Sequence, residues 1–98
     1  MAYRLIIPQY IEDSATFRNN DYFASFVKLV LALAMKSDSS DVRTKKQWIQ
    51  YLNPEWNSKN LTRFLRKARK DNLLDSKIDG SSVSITIFNI CDYIREAM

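Results

Sequence analysis

The chain has no histidine, one cysteine (Cys91), one glycine (Gly80) and two prolines among its 98 residues. Without histidine it lacks the commonest metal ligand and the commonest general base, and neither a serine nor a cysteine triad can be built in its usual form. A single cysteine excludes an internal disulfide and a cysteine-cluster metal site. A single glycine excludes a glycine-rich phosphate loop. Glu12 with Asp13, and Asp38 with Asp41, put carboxylates close together, but in segments that read as loops without a partner constellation. The chain is therefore expected to be no enzyme, to hold no metal or cofactor and to take no small-molecule substrate. No apolar run approaches the roughly 18 residues that span a bilayer. The apolar stretch of residues 1–9 is broken at Pro8, unlike a secretion signal. A cytoplasmic protein with no membrane partner is the expectation.

What is present is a core-forming composition with segregated charge. Apolar residues make up 46% of the chain and aromatics 12%, enough for one packed domain over residues 1–98. The net charge is only +4, yet residues 43–70 hold nine basic residues (Arg43, Lys45, Lys46, Lys59, Arg63, Arg66, Lys67, Arg69, Lys70) against one acid, Glu55, a local +8. The remainder carries six basic and ten acidic residues, a net −4. One part of the surface should attract a polyanion or an acidic partner while the rest does not.

Hydrophobic periodicity divides the chain into elements. Residues 1–20 form a lead-in from which Phe17 packs on a first helix, residues 21–36, capped by Asp21. In that helix Phe23, Phe26, Val27, Val30, Leu31 and Ala34 recur at helical spacing. The polar run of residues 37–41 reads as a loop, followed by a very short strand at Val42 and Arg43. A second helix, residues 44–52, starts with a Thr44-x-x-Gln47 capping box and buries Trp48, Ile49 and Leu52. Pro54 ends it, because helical geometry is disfavoured at Asn53. Ser58 is the expected cap of a third helix, residues 58–72, whose Leu61, Phe64, Leu65 and Ala68 lie on one stripe. Residues 75–88 form a hairpin turned at Asp79 and Gly80, with Val83, Ile85 and Ile87 alternating with Ser84 and Thr86. In the tail, residues 89–98, Tyr93 and Ile94 fold back through a last helical turn.

Helix, tiny strand, helix, turn, helix, hairpin is the order of a winged helix-turn-helix: mainly α with a small β-hairpin, α+β in class. Residues 44–93 resemble the N-terminal winged helix of DnaD-like primosome and phage replication-organiser proteins. The matching features are the run from Ser58 through Ala68, the Leu73-Leu74 exit, the Val83–Asn89 strand tail and Tyr93. The resemblance implies binding of double-stranded DNA in replication initiation; transcriptional regulation of phage, plasmid or bacterial type is an equal outlet for such a domain. Members of that family usually carry a further C-terminal helical domain for partner binding, so the expectation is either the DNA-binding unit alone or an independent small regulator of phage or plasmid type.

The candidate DNA-binding residues are Lys45, Lys46, Ser58, Lys59, Asn60, Thr62, Arg63, Arg66, Lys67, Lys70 and Lys77. Lys45 and Lys46 stand at a helix N-terminus, where backbone N–H groups and the helix dipole suit phosphate; the plainer reading is an exposed first turn. Asn60, Thr62 and Arg63 occupy the helix half that would enter a major groove and meet base edges. Lys77, with Ser81 and Ser82, marks a weakly charged wing that is equally well a plain hairpin turn. Trp48 and Trp56 read as core, with base stacking as the alternative, and Cys91 as a small buried apolar residue. The rival function is protein docking on an acidic or nucleoprotein partner, including a small phage-encoded inhibitor, with Tyr10, Tyr22 and Tyr51 as anchors. The first helix is apolar over more than one face (Phe23, Phe26, Val27, Leu29, Val30, Leu31, Leu33), a surplus that suggests a homodimer seam.

Overall fold

The computed structural model describes residues 3–6, 11, 13–35 and 39–96. In chain order the elements are β1 (Tyr3–Leu5), a 3-10 turn (Ala15–Arg18), α1 (Asn20–Met35), β2 (Ser40–Thr44), α2 (Lys45–Leu52) and α3 (Ser58–Lys70). There follow β3 (Leu74–Asp79), β4 (Ser82–Ile87), a second 3-10 turn (Ile90–Tyr93) and β5 (Ile94–Glu96). The fold is α+β: three helices with described bounds lie with a three-stranded antiparallel sheet of order β2-β4-β3, and β1 pairs separately with β5. Lys36, Ser37 and Asp38 lie outside the described residues, as does the side chain of Cys91.

Local chemistry sets the helix ends, and three of them differ from expectation. Asn19, not Asp21, caps α1: its Oδ1 accepts from the backbone N–H groups of Asp21 and Tyr22 at 2.9 and 3.3 Å. Asp21 instead places a negative charge in the first turn, where the helix dipole favours it. Asn57, not Ser58, caps α3 through a reciprocal capping box with Asn60, because Asn accepts from the third N–H as well as Ser does. The helix stops at Lys70 rather than at residue 72, since Asn72 adopts a left-handed φ of 59°. Leu73 N–H then bonds to the Ala68 carbonyl and Asn72 N–H to the Arg69 carbonyl, closing the helix in a Schellman motif. At α2 the expected Thr44–Gln47 box is complete in both directions.

The sheet is larger than a hairpin. Ser40 and Asp41 are not loop: they belong to β2, which runs antiparallel to β4 from Ser40 opposite Thr86 to Thr44 opposite Ser82. The β3–β4 connection is a two-residue turn, Gly80 and Ser81, between the paired Asp79 and Ser82. Gly80 has φ +61° and Ser81 has no positive φ, as a II′ turn requires. The expected last helical turn is present as the 3-10 turn Ile90–Tyr93, but the tail does not stay helical beyond it. It becomes β5, in register with β1 from Leu5 opposite Ile94 to Tyr3 opposite Glu96.

One apolar cluster joins these parts. Phe26, Leu29, Val30 and Leu33 of α1, Trp48 and Leu52 of α2, Leu61, Phe64, Leu65 and Ala68 of α3, and Val83, Ile85 and Ile87 of β4 are all buried in it. Phe17 packs on α1 as expected, its ring 4.9 Å from that of Phe26. Tyr93 closes on the same Phe26 at 5.7 Å. Trp48 is fully buried and donates its indole N–H to the Val83 carbonyl at 2.9 Å, tying α2 to β4. Trp56 is half-buried between Tyr22 and Phe64, with centroids 5.8 and 5.3 Å away. Most of the apolar surplus of α1 is thus used within the chain. Among its described side chains only Leu31 remains a large exposed hydrophobic, at 40%.

A polar clamp holds the lead-in to the end of α3. Asp71, just beyond the helix, accepts hydrogen bonds from Ser14 Oγ at 2.8 Å, from the Thr16 backbone N–H at 3.1 Å and from Thr16 Oγ1. The Thr16 hydroxyl above all, opposed by partial burial, holds the Asp71 carboxyl below its ordinary value of 3.8. A carboxyl lowered in the folded state adds stability that is full above its ordinary value and is lost as pH falls through the lowered one. Asp71→Asn should therefore cost about 1.5–3 kcal/mol near neutral pH in urea unfolding, the range for hydrogen bonds to a charged group. The difference from wild type should shrink well below pH 3.8; a difference that is constant with pH would contradict this account.

Candidate nucleic-acid interface

Helix α3 is divided into two sides by its own sequence. At about 100° per residue, Leu61, Phe64, Leu65 and Ala68 share one side, and the midline opposite falls on Lys59, Arg63, Arg66 and Lys70. The first four are at most 2% exposed, while the second four are all exposed. Burying the apolar stripe therefore drives four cations outward in a single ridge. Lys67 and Asn60 flank the ridge on one edge and Thr62 and Arg69 on the other.

The cations divide into those used within the chain and those that are not. Arg69 Nε lies 3.5 Å from Asp75 Oδ1, an exposed pair worth little. Arg43 is committed more firmly: its Nε is 2.9 Å from Asp41 Oδ2, and its guanidinium sits 4.8 Å over the Trp48 ring and 5.1 Å over the Tyr51 ring. Lys67 lies 5.6 Å over Tyr22, and Lys70 acts electrostatically on the neighbouring Asp71. Lys59, Arg63 and Arg66 have no ion-pair partner among the described residues. Lys67, Arg69 and Lys70 stand in the last helical turn, where the dipole favours cations. Lys59 stands in the first turn, which has no acid and is the unfavourable end for a positive charge. Like charges three or four residues apart, such as Lys59 with Arg63, each cost a few tenths of a kcal/mol. Helix stability does not explain this ridge.

A shallow open groove of about 270 Å³ runs along it, lined by Ser58, Lys59, Thr62, Arg63 and Arg66. The short hydroxyl side chains of Ser58 and Thr62 line it beside the longer cationic ones. Two expected base-reading groups are otherwise engaged. Asn60 is half-buried on the flank with its Oδ1 accepting from Asn57 N–H at 3.0 Å. The Thr62 hydroxyl donates to the Ser58 carbonyl at 3.0 Å. Arg63 alone of the three points from the midline. The Asn57-x-x-Asn60 spacing was the sequence signal for that engagement, hidden by the equally good capping residue beside it.

The other candidates are distributed around α3. Lys46 is exposed and Lys45 half-buried at the start of α2. The N–H groups that could have held a phosphate there are largely taken: Lys45 N–H bonds to the Ser81 carbonyl at 2.9 Å and Gln47 N–H to Thr44 Oγ1 at 3.1 Å. Lys77 is exposed on β3, on the same face as Asp75 and Asp79, so this edge of the hairpin is net acidic. Tyr22 is buried, against its expected exposure, and Tyr51 is half-buried with its hydroxyl donating to the Lys28 carbonyl at 3.0 Å. Tyr10 lies outside the described residues.

Among the described residues no group of three His, Cys, Asp or Glu could hold a metal ion, and no helix is long and apolar enough to cross a membrane. No protein-family model, curated protein or solved structure matches the chain.

Because Arg63 and Arg66 are exposed and have no ion-pair partner among the described residues, Arg63→Ala with Arg66→Ala should leave unfolding free energy within about 0.5 kcal/mol of wild type. Leu61→Ala on the opposite side should cost about 2–5 kcal/mol. Chemical denaturation checks both; a large loss in the double variant would show that the arginines are structural.

Proposed function

We propose that the chain is a winged helix-turn-helix domain that binds double-stranded DNA, with α3 in the major groove. The observation that carries this reading is the exposed ridge of Lys59, Arg63, Arg66 and Lys70, three of them without an ion-pair partner among the described residues. A major groove about 12 Å wide accepts a helix, and cations on such a helix release condensed counterions from the duplex. The element order and the β3–β4 hairpin beside α3 suit the winged layout. The net-acidic outer edge of that hairpin leaves the helix as the principal contact, with Lys46 reaching the backbone from α2. The resemblance to DnaD-like and phage replication-organiser domains supports a role in replication initiation, and transcriptional regulation uses the same contact.

Docking on an acidic protein would exploit the same charge, but the aromatic anchors expected for it are engaged in the fold at Tyr22 and Tyr51. Duplex binding followed by fluorescence anisotropy across a salt series tests the proposal. Six accessible cations (Lys46, Lys59, Arg63, Arg66, Lys67, Lys70) set a limiting slope of log K against log salt of about −5. Arg63→Ala with Arg66→Ala should weaken binding at least about tenfold, the cost of roughly one good contact. Unchanged affinity in the double variant, or no binding by wild type at low salt, would overturn the proposal.

A further inference from the structure

We infer that the α3 ridge reads guanine, so that the preferred duplex presents guanines in the major groove rather than adenine or thymine. This inference rests on the DNA-binding reading above. A helix lying in a groove turns its midline to the base edges and its flanks to the phosphates. The midline of α3 carries Lys59, Arg63, Arg66 and Lys70, all exposed. Arg and Lys are the side chains whose donors match the two adjacent acceptors of guanine, O6 and N7. Adenine shows one acceptor and one donor there, which a side chain bearing only donors cannot match.

The side chains that could have read other bases are withdrawn. Asn60, the adenine reader of the helix, sits on the flank with its only acceptor oxygen engaged by Asn57. The Thr62 hydroxyl is donated back to the Ser58 carbonyl. No apolar side chain suited to the thymine methyl stands on the midline, since the apolar residues of α3 are buried on the other side. Arg63 and Arg66 have no carboxylate to compete for their guanidinium forks among the described residues. Both arginines line the open groove together with the short side chains of Ser58 and Thr62.

The test uses the full chain and three duplexes of equal length: one carrying runs of guanine, its all-A·T counterpart, and the guanine duplex with 7-deazaguanine throughout. The last keeps the phosphates and the base pairing and removes only the N7 acceptor. Binding should fall at least about tenfold from the guanine duplex to each of the others, the discrimination of one bidentate contact. Arg63→Ala with Arg66→Ala should erase the difference while retaining salt-sensitive binding. Equal affinity of wild type for all three would overturn guanine reading and leave the DNA-binding proposal standing. No binding to any of them would overturn both.

Discussion

Leu61, Phe64, Leu65 and Ala68 can leave water together only if the helix that carries them turns its other side outward. Everything else about the proposed surface depends on that constraint. The four side chains are among the most buried of the molecule, and at about 1.5–3 kcal/mol for each large one removed from water they outweigh the few tenths lost to each like-charge contact on the far side. A helix with so many uncompensated cations would be a poor helix in isolation. Held by its core, it keeps them in fixed order along one line, which a flexible basic segment could not do.

The surroundings of α3 act to keep that line in place. Its start is held by the reciprocal Asn57–Asn60 box and its end by the left-handed Asn72. Asp71 then ties the helix end to Ser14 and Thr16 in the lead-in. The neighbouring cation Arg43 is drawn away from solvent by Asp41, Trp48 and Tyr51, and Arg69 lies beside Asp75. The positive field is thereby concentrated on the α3 midline rather than spread over residues 43–70. Asp75 on the hairpin lies beside its Arg69 edge.

Periodicity made the helices and the β3–β4 hairpin legible, because both patterns record which face is buried. The Thr44–Gln47 box was legible for the same local reason. Caps were harder: Asn57 and Ser58 are adjacent and both competent, and only backbone geometry decides between them. The extension of β2 to Ser40 and Asp41, and the pairing of β1 with β5, depend on partners distant in sequence, which no local pattern discloses. At the candidate site the cations and their sidedness could be read from spacing alone. The engagement of Asn60 and Thr62 is local and was masked by the competing cap at Ser58. The pairing of Arg69 with Asp75 and the burial of Tyr22 could not be read, since each depends on which neighbour the fold brings near.

The central claim is that the midline of α3 is the surface that meets DNA, and lysine reactivity measures this residue by residue. With duplex present, acylation followed by mass spectrometry should show Lys59 and Lys70 strongly protected. Lys77 on the acidic edge of β3, and Lys28, whose ammonium lies 3.4 Å from the Leu52 carbonyl, should react as they do in the unbound protein. Protection of Lys28 or Lys77 with Lys59 unchanged would place the duplex elsewhere and contradict the account.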